Sequence, residues 1–138
     1  MSTITTKLFF DGACRGNGAS HARSAIGYVI VQDGREIATG SKLSSAETNN
    51  QAEYKALLHG LRRAKALGVR QILCCGDSRL VVMQMRGLWA VNNPRLATLR
   101  DECKAEAGKL IRVNYKWIAR AENSRADALA NEALDRRE

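Results

Sequence analysis

Three strand-like runs come before any helix in this chain, and helices and strands alternate after them. The second and third runs are separated by a turn with Asp33-Gly34 at its centre, a dipeptide that tight antiparallel hairpins favour. The first three runs therefore predict an antiparallel meander, and the alternation that follows predicts a mixed sheet covered by helices. The strand-like runs are 7–10, 26–31, 36–43, 71–75 and 111–118.

The longest predicted helix begins after three polar residues that can cap it, 48–50, and stops at Gly68. Within it, Glu53 shares a face with Leu57 and Leu61 at helical spacing. The apolar stripe of this helix therefore begins with a carboxylate that points inward. Further helices are predicted at 79–86, 95–109 and 125–134.

The length of 138 residues fits one domain, so we expect a single domain over 1–138. No apolar run approaches the ~18–20 residues of a membrane span, and the N-terminal MSTITTK lacks a signal-peptide core. These features favour a cytoplasmic protein with no membrane partner, and a monomer without an obligate protein partner is the simplest expectation.

Charge points to a polyanionic partner, because 22 Lys and Arg face 14 Asp and Glu and give a net charge of +8. A solvated basic surface is the alternative. Zinc binding is disfavoured, since the cysteines form no CxxC pair and both histidines lie far from them. We expect free thiols at Cys14, Cys74, Cys75 and Cys103.

The stretch LFFDGACRGNG places an aspartate and three glycines after the first strand-like run. Such a stretch can cradle a phosphate, or its acid can bind a metal. No Lys-Ser/Thr follows Gly18, so a P-loop is excluded. The glycines more simply allow the backbone beside Asp11 to approach a nucleic-acid strand closely.

Four acids stand at strand ends or in the first turns of helices, and each alone has an ordinary explanation. Asn50 and Ser124 could form capping boxes with the acids three residues later, and Asn123 could also cap the last helix. The acid before Ser78 could cap the following helix, and the first acid could belong to a turn. The four acids are Asp11, Glu53, Asp77 and Asp127.

Taken together, the acids suggest a metal site. An inward Glu53 is costly unless it is protonated, hydrogen-bonded or bound to metal. Asp11 and Asp77 both follow strands that could lie side by side, which would bring their carboxylates to one edge of the sheet. Carboxylates that converge there would repel unless divalent cations neutralised them, and oxygen ligands suit Mg²⁺ or Mn²⁺.

Four blocks of the sequence resemble, in order, the signature blocks of the type 1 ribonuclease H family. They are DGACRGNG, TNNQAEYKALLHGL, GDSRLVV and ENSRADALANEAL, which together span most of the chain. The resemblance implies an α/β ribonuclease H-like fold with a five-stranded mixed sheet, three antiparallel strands and then parallel ones, flanked by helices. It also implies endonucleolytic cleavage of the RNA strand of RNA–DNA hybrids.

The same resemblance implies roles for individual residues. Asp11, Glu53, Asp77 and Asp127 match the family's four acids, which bind two divalent metals, Mg²⁺ or Mn²⁺, and leave 5′-phosphate and 3′-hydroxyl products. Positions that match the family's contacts to the nucleic acid are Asn17 for the RNA minor groove, Asn49 and Asn50 for both strands, and Thr48 and Asn93 for a DNA phosphate pocket.

The sequence departs from many bacterial members in two places. No histidine occurs in the loop IARAENSRAD before Asp127, where Arg120 is the nearest candidate to assist and a plain surface arginine is its alternative. The connection 87–94 is too short for the family's basic protrusion, although Trp89 could line a phosphate pocket or pack in the core. The grip on substrate would then depend on dispersed arginines such as Arg79, Arg86 and Arg95, and the chain would be a minimal catalytic domain.

Two other classes stay open at this point. A binding module that has lost cleavage is disfavoured because all four acids are present. Another two-metal nuclease on the same fold, such as an exonuclease or junction resolvase, is disfavoured by the asparagine-rich block TNNQAE, which suits the reading of ribose.

Overall fold

The computed structural model describes residues 5–16 and 23–136. Their strands form one sheet in the order β3-β2-β1-β4-β5. The pairs β1–β2 and β2–β3 are antiparallel, whereas β1–β4 and β4–β5 are parallel. The predicted meander followed by parallel strands is therefore confirmed. The strands are β1 Thr6–Arg15, β2 Arg23–Gln32, β3 Arg35–Ser44, β4 Gln71–Gly76 and β5 Arg112–Trp117.

Four α-helices and a short 3₁₀ helix connect or follow these strands in the described chain. α1 packs against β1 and β2 and is covered in turn by α3, and α4 packs mainly against β2. The helices are α1 Asn49–Ala66, α2 Arg79–Met85, α3 Pro94–Ala107, the 3₁₀ helix Arg120–Asn123, and α4 Ser124–Arg136.

Alternating residues of β1 and β2 supply the two faces of the sheet. Leu8, Phe10 and Ile26 are fully buried in the main core with α1, whereas Ala13 and Ala25 pack on the other side with the end of α4. The inward face predicted for α1 is present, since its stripe is buried from Glu53 onward. The sheet is thus covered on both faces.

The prediction that Asp11 ends the first strand is wrong. β1 continues to Arg15 because it stays paired with β2 along its whole length. What ends near Asp11 is the parallel pairing with β4, whose last pair is Phe10 with Gly76. Beyond that pair, the edge of β1 that faced β4 needs other hydrogen-bond partners.

Two further expectations concern composition. The four cysteines are free; Cys14 is half-buried and the other three are buried, as predicted. Over residues 5–16 and 23–136, none of the helices combines the length and the apolar character needed to cross a membrane.

Candidate active site

A cleft of about 380 Å³ opens where β4 ends, and all four predicted acids line it. Asp11 comes from β1, Glu53 from the second turn of α1 rather than the predicted first turn, Asp77 from the residue after β4, and Asp127 from the first turn of α4. Four segments that are distant in sequence therefore converge on one space. The clustering follows from the parallel β1–β4 pair, which brings the two strand segments to the same edge.

Three of these acids form the tightest group. Asp11, Glu53 and Asp77 each place a carboxylate oxygen within 4.8 Å of the others. Asp11 and Glu53 are buried, and Asp77 is partly exposed. Asp127, also partly exposed, borders the same cleft and accepts a hydrogen bond from Asn131 Nδ2 at 3.2 Å.

Glu53 is held by the backbone of β1. The Gly12 amide donates to Glu53 Oε1 at 2.7 Å, which satisfies an N–H that β4 no longer reaches. A Cβ at Gly12 would stand 2.3 Å from the backbone carbon of Ala52. Gly12 therefore lets α1 approach the strand, a reason that differs from the predicted approach of nucleic acid.

The predicted capping box between Asn50 and Glu53 is wrong, because Glu53 is engaged with Gly12. The N-cap of α1 is Thr48, whose Oγ1 accepts from the Gln51 amide at 3.2 Å. Similarly, Ser78 caps α2 by accepting from the Val81 amide, which leaves the Asp77 carboxylate at the cleft.

Asn123 is a residue that the sequence analysis missed. It was expected to cap the last helix, but it closes the 3₁₀ helix and is 1% exposed. Its Nδ2 donates to the Phe10 carbonyl and to Asp77 Oδ2, both at 2.9 Å. Both partners are remote in sequence, so no local pattern distinguishes this asparagine from a cap. Asn123 therefore fixes the orientation of Asp77, one candidate metal ligand, against β1, the strand that carries Asp11.

A second glycine brings α4 close to the site. Gly27 lies opposite Asp11 in the β1–β2 ladder. A Cβ there would stand 2.2 Å from the Ala126 carbonyl oxygen and 2.5 Å from the Ala130 amide nitrogen. Since Ala126 precedes Asp127, this close packing places the last acid beside the first.

The electrostatics of the cleft favour a bound cation. Burial raises the pKa of Asp11 well above its ordinary value, and the neighbouring Glu53 and Asp77 carboxylates raise it further. Burial also raises the pKa of Glu53, although hydrogen bonds from Asp11 and Gly12 and the nearby Arg120 guanidinium oppose this. Glu53 Oε2 is buried and has no hydrogen-bond partner among the described residues. An unpaired buried oxygen beside two further carboxylates fits a hard divalent cation.

The predicted substrate residues fall into three groups. Asn49 and Asn50 line the cleft and are exposed. Thr48 and Asn93 lie outside the described cleft lining and serve as N-caps of α1 and α3. Asn17 lies outside the described residues. A salt bridge of 2.8 Å between Arg95 and Glu47 joins the segments that precede α1 and begin α3.

Arg120 also lines the cleft, on the side where the 3₁₀ helix begins. Its side chain is exposed, and its charge is close enough to Glu53 to oppose part of the rise that burial causes in the pKa of that carboxyl. It is therefore an accessible cation in the cleft that the four acids line.

Comparison with known proteins supports one family. A family model described as "Reverse transcriptase-like" matches residues 9–133. Ribonuclease HI of Halobacterium salinarum is 43% identical over 128 residues, which cover 92% of this chain and 63% of that protein. The Bifunctional protein Rv2228c of Mycobacterium tuberculosis is 40% identical over 126 residues, 91% of this chain. The chain spans only 34% of that mycobacterial relative and less than two thirds of the Halobacterium protein.

Solved structures agree with this result. The crystal structure of RNase H1 from Halobacterium salinarum NRC-1 has a TM-score of 0.91 and 41% identity, covering 96% of this chain and 98% of that chain. LC11-RNase H1, solved in complex with an RNA/DNA hybrid, has a TM-score of 0.89 and 29% identity, covering 96% and 99% of the two chains. The shared fold thus extends over nearly the whole of both structures.

Proposed function

Because this chain belongs to the type 1 ribonuclease H family, we propose that it hydrolyses the RNA strand of RNA–DNA hybrids. The observation that carries the proposal is the convergence of Asp11, Glu53 and Asp77 within 4.8 Å on a cleft that Asp127 also borders. The relative solved with an RNA/DNA hybrid supports the choice of substrate. The reaction would be endonucleolytic and would leave 5′-phosphate and 3′-hydroxyl ends.

The four acids are proposed to bind two divalent ions, Mg²⁺ or Mn²⁺. When bound, such ions supply Lewis acidity for water activation and for the charge on the leaving 3′-oxygen. The protein's part is to keep the ligand oxygens oriented. Gly12 holds one oxygen of Glu53 and leaves the other open, Asn123 holds Oδ2 of Asp77, and Asn131 holds Asp127.

Arg120 is proposed as the residue that assists in place of the family's histidine. As a permanent cation it cannot exchange a proton near neutral pH, so its contribution would be electrostatic. Its position beside Glu53 suits stabilisation of charge on the phosphate or on the departing product.

The asparagines on the cleft are proposed to read the hybrid. Asn49 and Asn50 would contact the two strands in the minor groove, where ribose displays its 2′-hydroxyls, and Asn17 would assist from its own segment. Thr48 and Asn93 are proposed to bind a DNA phosphate. Their capping bonds use only acceptor oxygens, which leaves the Thr48 hydroxyl hydrogen and the Asn93 amide hydrogens to donate.

The proposal includes a single catalytic domain that acts as a monomer in the cytoplasm. Four free thiols suit a reducing compartment. One set of reactions tests the activity: end-labelled RNA–DNA hybrid, duplex RNA and duplex DNA, each with Mg²⁺, Mn²⁺ or EDTA. Cleavage of the hybrid's RNA strand with metal is expected, and none with EDTA.

The outcomes separate the alternatives. Hybrid binding without cleavage in either metal would indicate a binding module, and cleavage of duplex DNA in preference to the hybrid would indicate another two-metal nuclease. Cleavage in EDTA would contradict the role of the acids outright.

A further inference from the structure

Three side chains from different elements form a cluster beside Asp77. Arg79 is the first residue of α2, Trp89 belongs to the connection before α3, and Trp117 ends β5. The Arg79 Cζ lies 5.3 Å from the centroid of the Trp89 ring and 5.1 Å from that of Trp117. We call these three residues the Trp–Arg–Trp cluster.

The cluster is open to solvent. Trp89 is 39% exposed and Trp117 is 48% exposed, so the alternative that Trp89 packs in the core is wrong. Large aromatic side chains are seldom left on a surface together unless they bind something. Two indoles beside a guanidinium suit a ligand that has both negative charge and flat apolar groups. A nucleic-acid strand has both, in its phosphates and its bases.

Arg79 keeps its hydrogen-bonding capacity in this arrangement. Both indoles lie within cation–π range of the guanidinium, and within the part of the chain that the structure describes its N–H groups donate no hydrogen bond to another residue. Over residues 5–16 and 23–136, no carboxylate lies within salt-bridge distance of Arg79, whereas Arg95 pairs with Glu47 and Arg125 with Glu36. The Arg79 guanidinium therefore lies beside the two indoles without a salt-bridge partner among the described residues.

The cluster is connected to the acidic site. Trp117 Nε1 donates to the backbone carbonyl of Asp77 at 3.2 Å. Asp77 and Ser78, which directly precede Arg79, both line the acidic cleft. A strand whose phosphate reaches the carboxylates would therefore pass next to the cluster.

We propose that the Trp–Arg–Trp cluster is a binding site for the cleaved strand, with Arg79 donating to a backbone phosphate next to the scissile one. The exposed indoles pack against the adjoining sugar or base. The assignment to the RNA strand rests on the proposed function, since it takes the strand at the acids to be the one that is cut. The phosphate site itself requires only a nucleic-acid ligand.

Hybrid affinity tests the site. Fluorescence anisotropy with a labelled RNA–DNA hybrid in Ca²⁺, over a series of salt concentrations, compares wild type with Arg79→Ala and with Arg63→Ala. Arg63 is a matched control, because it is an exposed arginine near the far end of α1 and its removal changes the net charge equally. Arg79→Ala should weaken binding about 5–100-fold and reduce the salt slope by about one, as expected for a lost phosphate contact.

Two further variants test the geometry. Arg79→Lys should recover only part of the affinity, since an ammonium lacks the planar donors, and Trp89→Ala should lose part of it by freeing the arginine. In cleavage, Arg79→Ala should raise KM and leave kcat within about twofold, the pattern of lost uniform binding. Thermal unfolding of each variant checks that the fold is retained.

The outcomes that overturn the proposal are specific. Equal affinities for Arg79→Ala and Arg63→Ala would overturn the site. Neutral methylphosphonate linkages beside the cut in the RNA strand should remove the difference between wild type and Arg79→Ala; if only neutral linkages in the DNA strand did so, the strand assignment would be wrong. If wild type bound the hybrid through Arg79 but did not cleave it, the proposed function would fail while the binding site stood.

Discussion

At the residue scale, two side chains replace a missing strand at the edge of β1. Where β4 ends, Glu53 accepts from the Gly12 amide and Asn123 donates to the Phe10 carbonyl. Each of them also belongs to the acidic cluster, Glu53 as a member and Asn123 through its bond to Asp77. The contacts that stabilise this edge therefore also position the proposed metal ligands.

Asn123→Ala should separate the effect on stability from the effect on metal binding. Loss of the amide leaves the buried Phe10 carbonyl without its donor and should cost about 1–3 kcal/mol of unfolding free energy. It also frees Asp77, and loss of such an outer partner typically costs about 10–100-fold in metal affinity or activity. Urea unfolding gives the first quantity, and a titration of cleavage against Mg²⁺ concentration, at a temperature where the variant is folded, gives the second.

A rise in the Mg²⁺ concentration needed for half-maximal cleavage is the result that a merely structural role would not produce. If folded Asn123→Ala had the same metal dependence as wild type, orientation of Asp77 would be rejected. Asn114→Ala, an exposed asparagine on β5, is a suitable control for the loss of an amide.

Asp11→Asn should reduce activity and increase stability at the same time. Replacement of a carboxylate ligand by an amide should reduce cleavage by about 10³-fold or more, about 4 kcal/mol of transition-state stabilisation. Because the folded pKa of Asp11 is raised to about 11, the carboxyl is ionised in the unfolded chain at neutral pH and must take up a proton on folding; a neutral amide removes that cost. Tm measured in EDTA should therefore rise.

Asp101→Asn is the control for Asp11→Asn, since Asp101 is an exposed acid on α3 that pairs with Arg100. It should leave both cleavage and Tm nearly unchanged. A fall in the Tm of Asp11→Asn in EDTA would show that the desolvation of Asp11 and its repulsion by neighbouring carboxylates do not dominate the stability of this site.

At the scale of elements, α1 contributes to the pH dependence of stability through a half-buried histidine. His59 lies in its second half, and burial together with Lys42 of β3 and Arg62 and Lys55 of α1 lowers its pKa to about 4. Between this value and its unfolded pKa of about 6.5, the unfolded chain binds a proton that the folded chain does not. His59 should therefore reduce stability as the pH falls through this window.

His59→Gln should flatten that loss. Urea unfolding at pH 7 and pH 5 should show a smaller decrease in the free energy of unfolding for His59→Gln than for wild type. Lys42→Gln should give a partial effect in the same direction, because it removes one of the charges that oppose protonation of His59. If the free energy of unfolding fell by the same amount between pH 7 and pH 5 in His59→Gln as in wild type, groups other than His59 would dominate the loss of stability in acid.

Most elements could be predicted from the sequence because their signals are local. The Asp33-Gly34 turn fixes the hairpin, helical spacing places Glu53 inward, and Thr48 is among the predicted caps. The errors arise where distant segments decide the outcome. β1 extends past Asp11 because β2 pairs with it, and Asn123 is drawn away from capping by partners 113 and 46 residues away.

At the scale of the whole molecule, charge is distributed in two patterns. The four acids are gathered at one cleft, whereas basic residues are spread along the chain. Several arginines are already paired with acids on the surface, among them Arg15, Arg62, Arg95 and Arg136. Of the three arginines expected to grip substrate, Arg95 is therefore partly neutralised and Arg79 is not. The total of 22 Lys and Arg thus overstates the number of cations available to a phosphate backbone.

This distribution predicts a shallow dependence of hybrid binding on salt. A protein that neutralises Z phosphates loses affinity with a log–log slope of about −0.9Z on B-form DNA, and a hybrid of similar charge density should behave comparably. With no long basic insertion between α2 and α3 and with several arginines paired, we expect about 3–5 phosphate contacts and a slope of about −3 to −4.5. Anisotropy between low and moderate salt in Ca²⁺ measures it. A slope of about −7 or steeper would require an extended basic surface and would contradict the expectation. A shallow slope with intact cleavage would mean that most of the binding energy comes from the proposed contacts of the cleft asparagines, Thr48, Asn93 and Arg79 and from the metal ions.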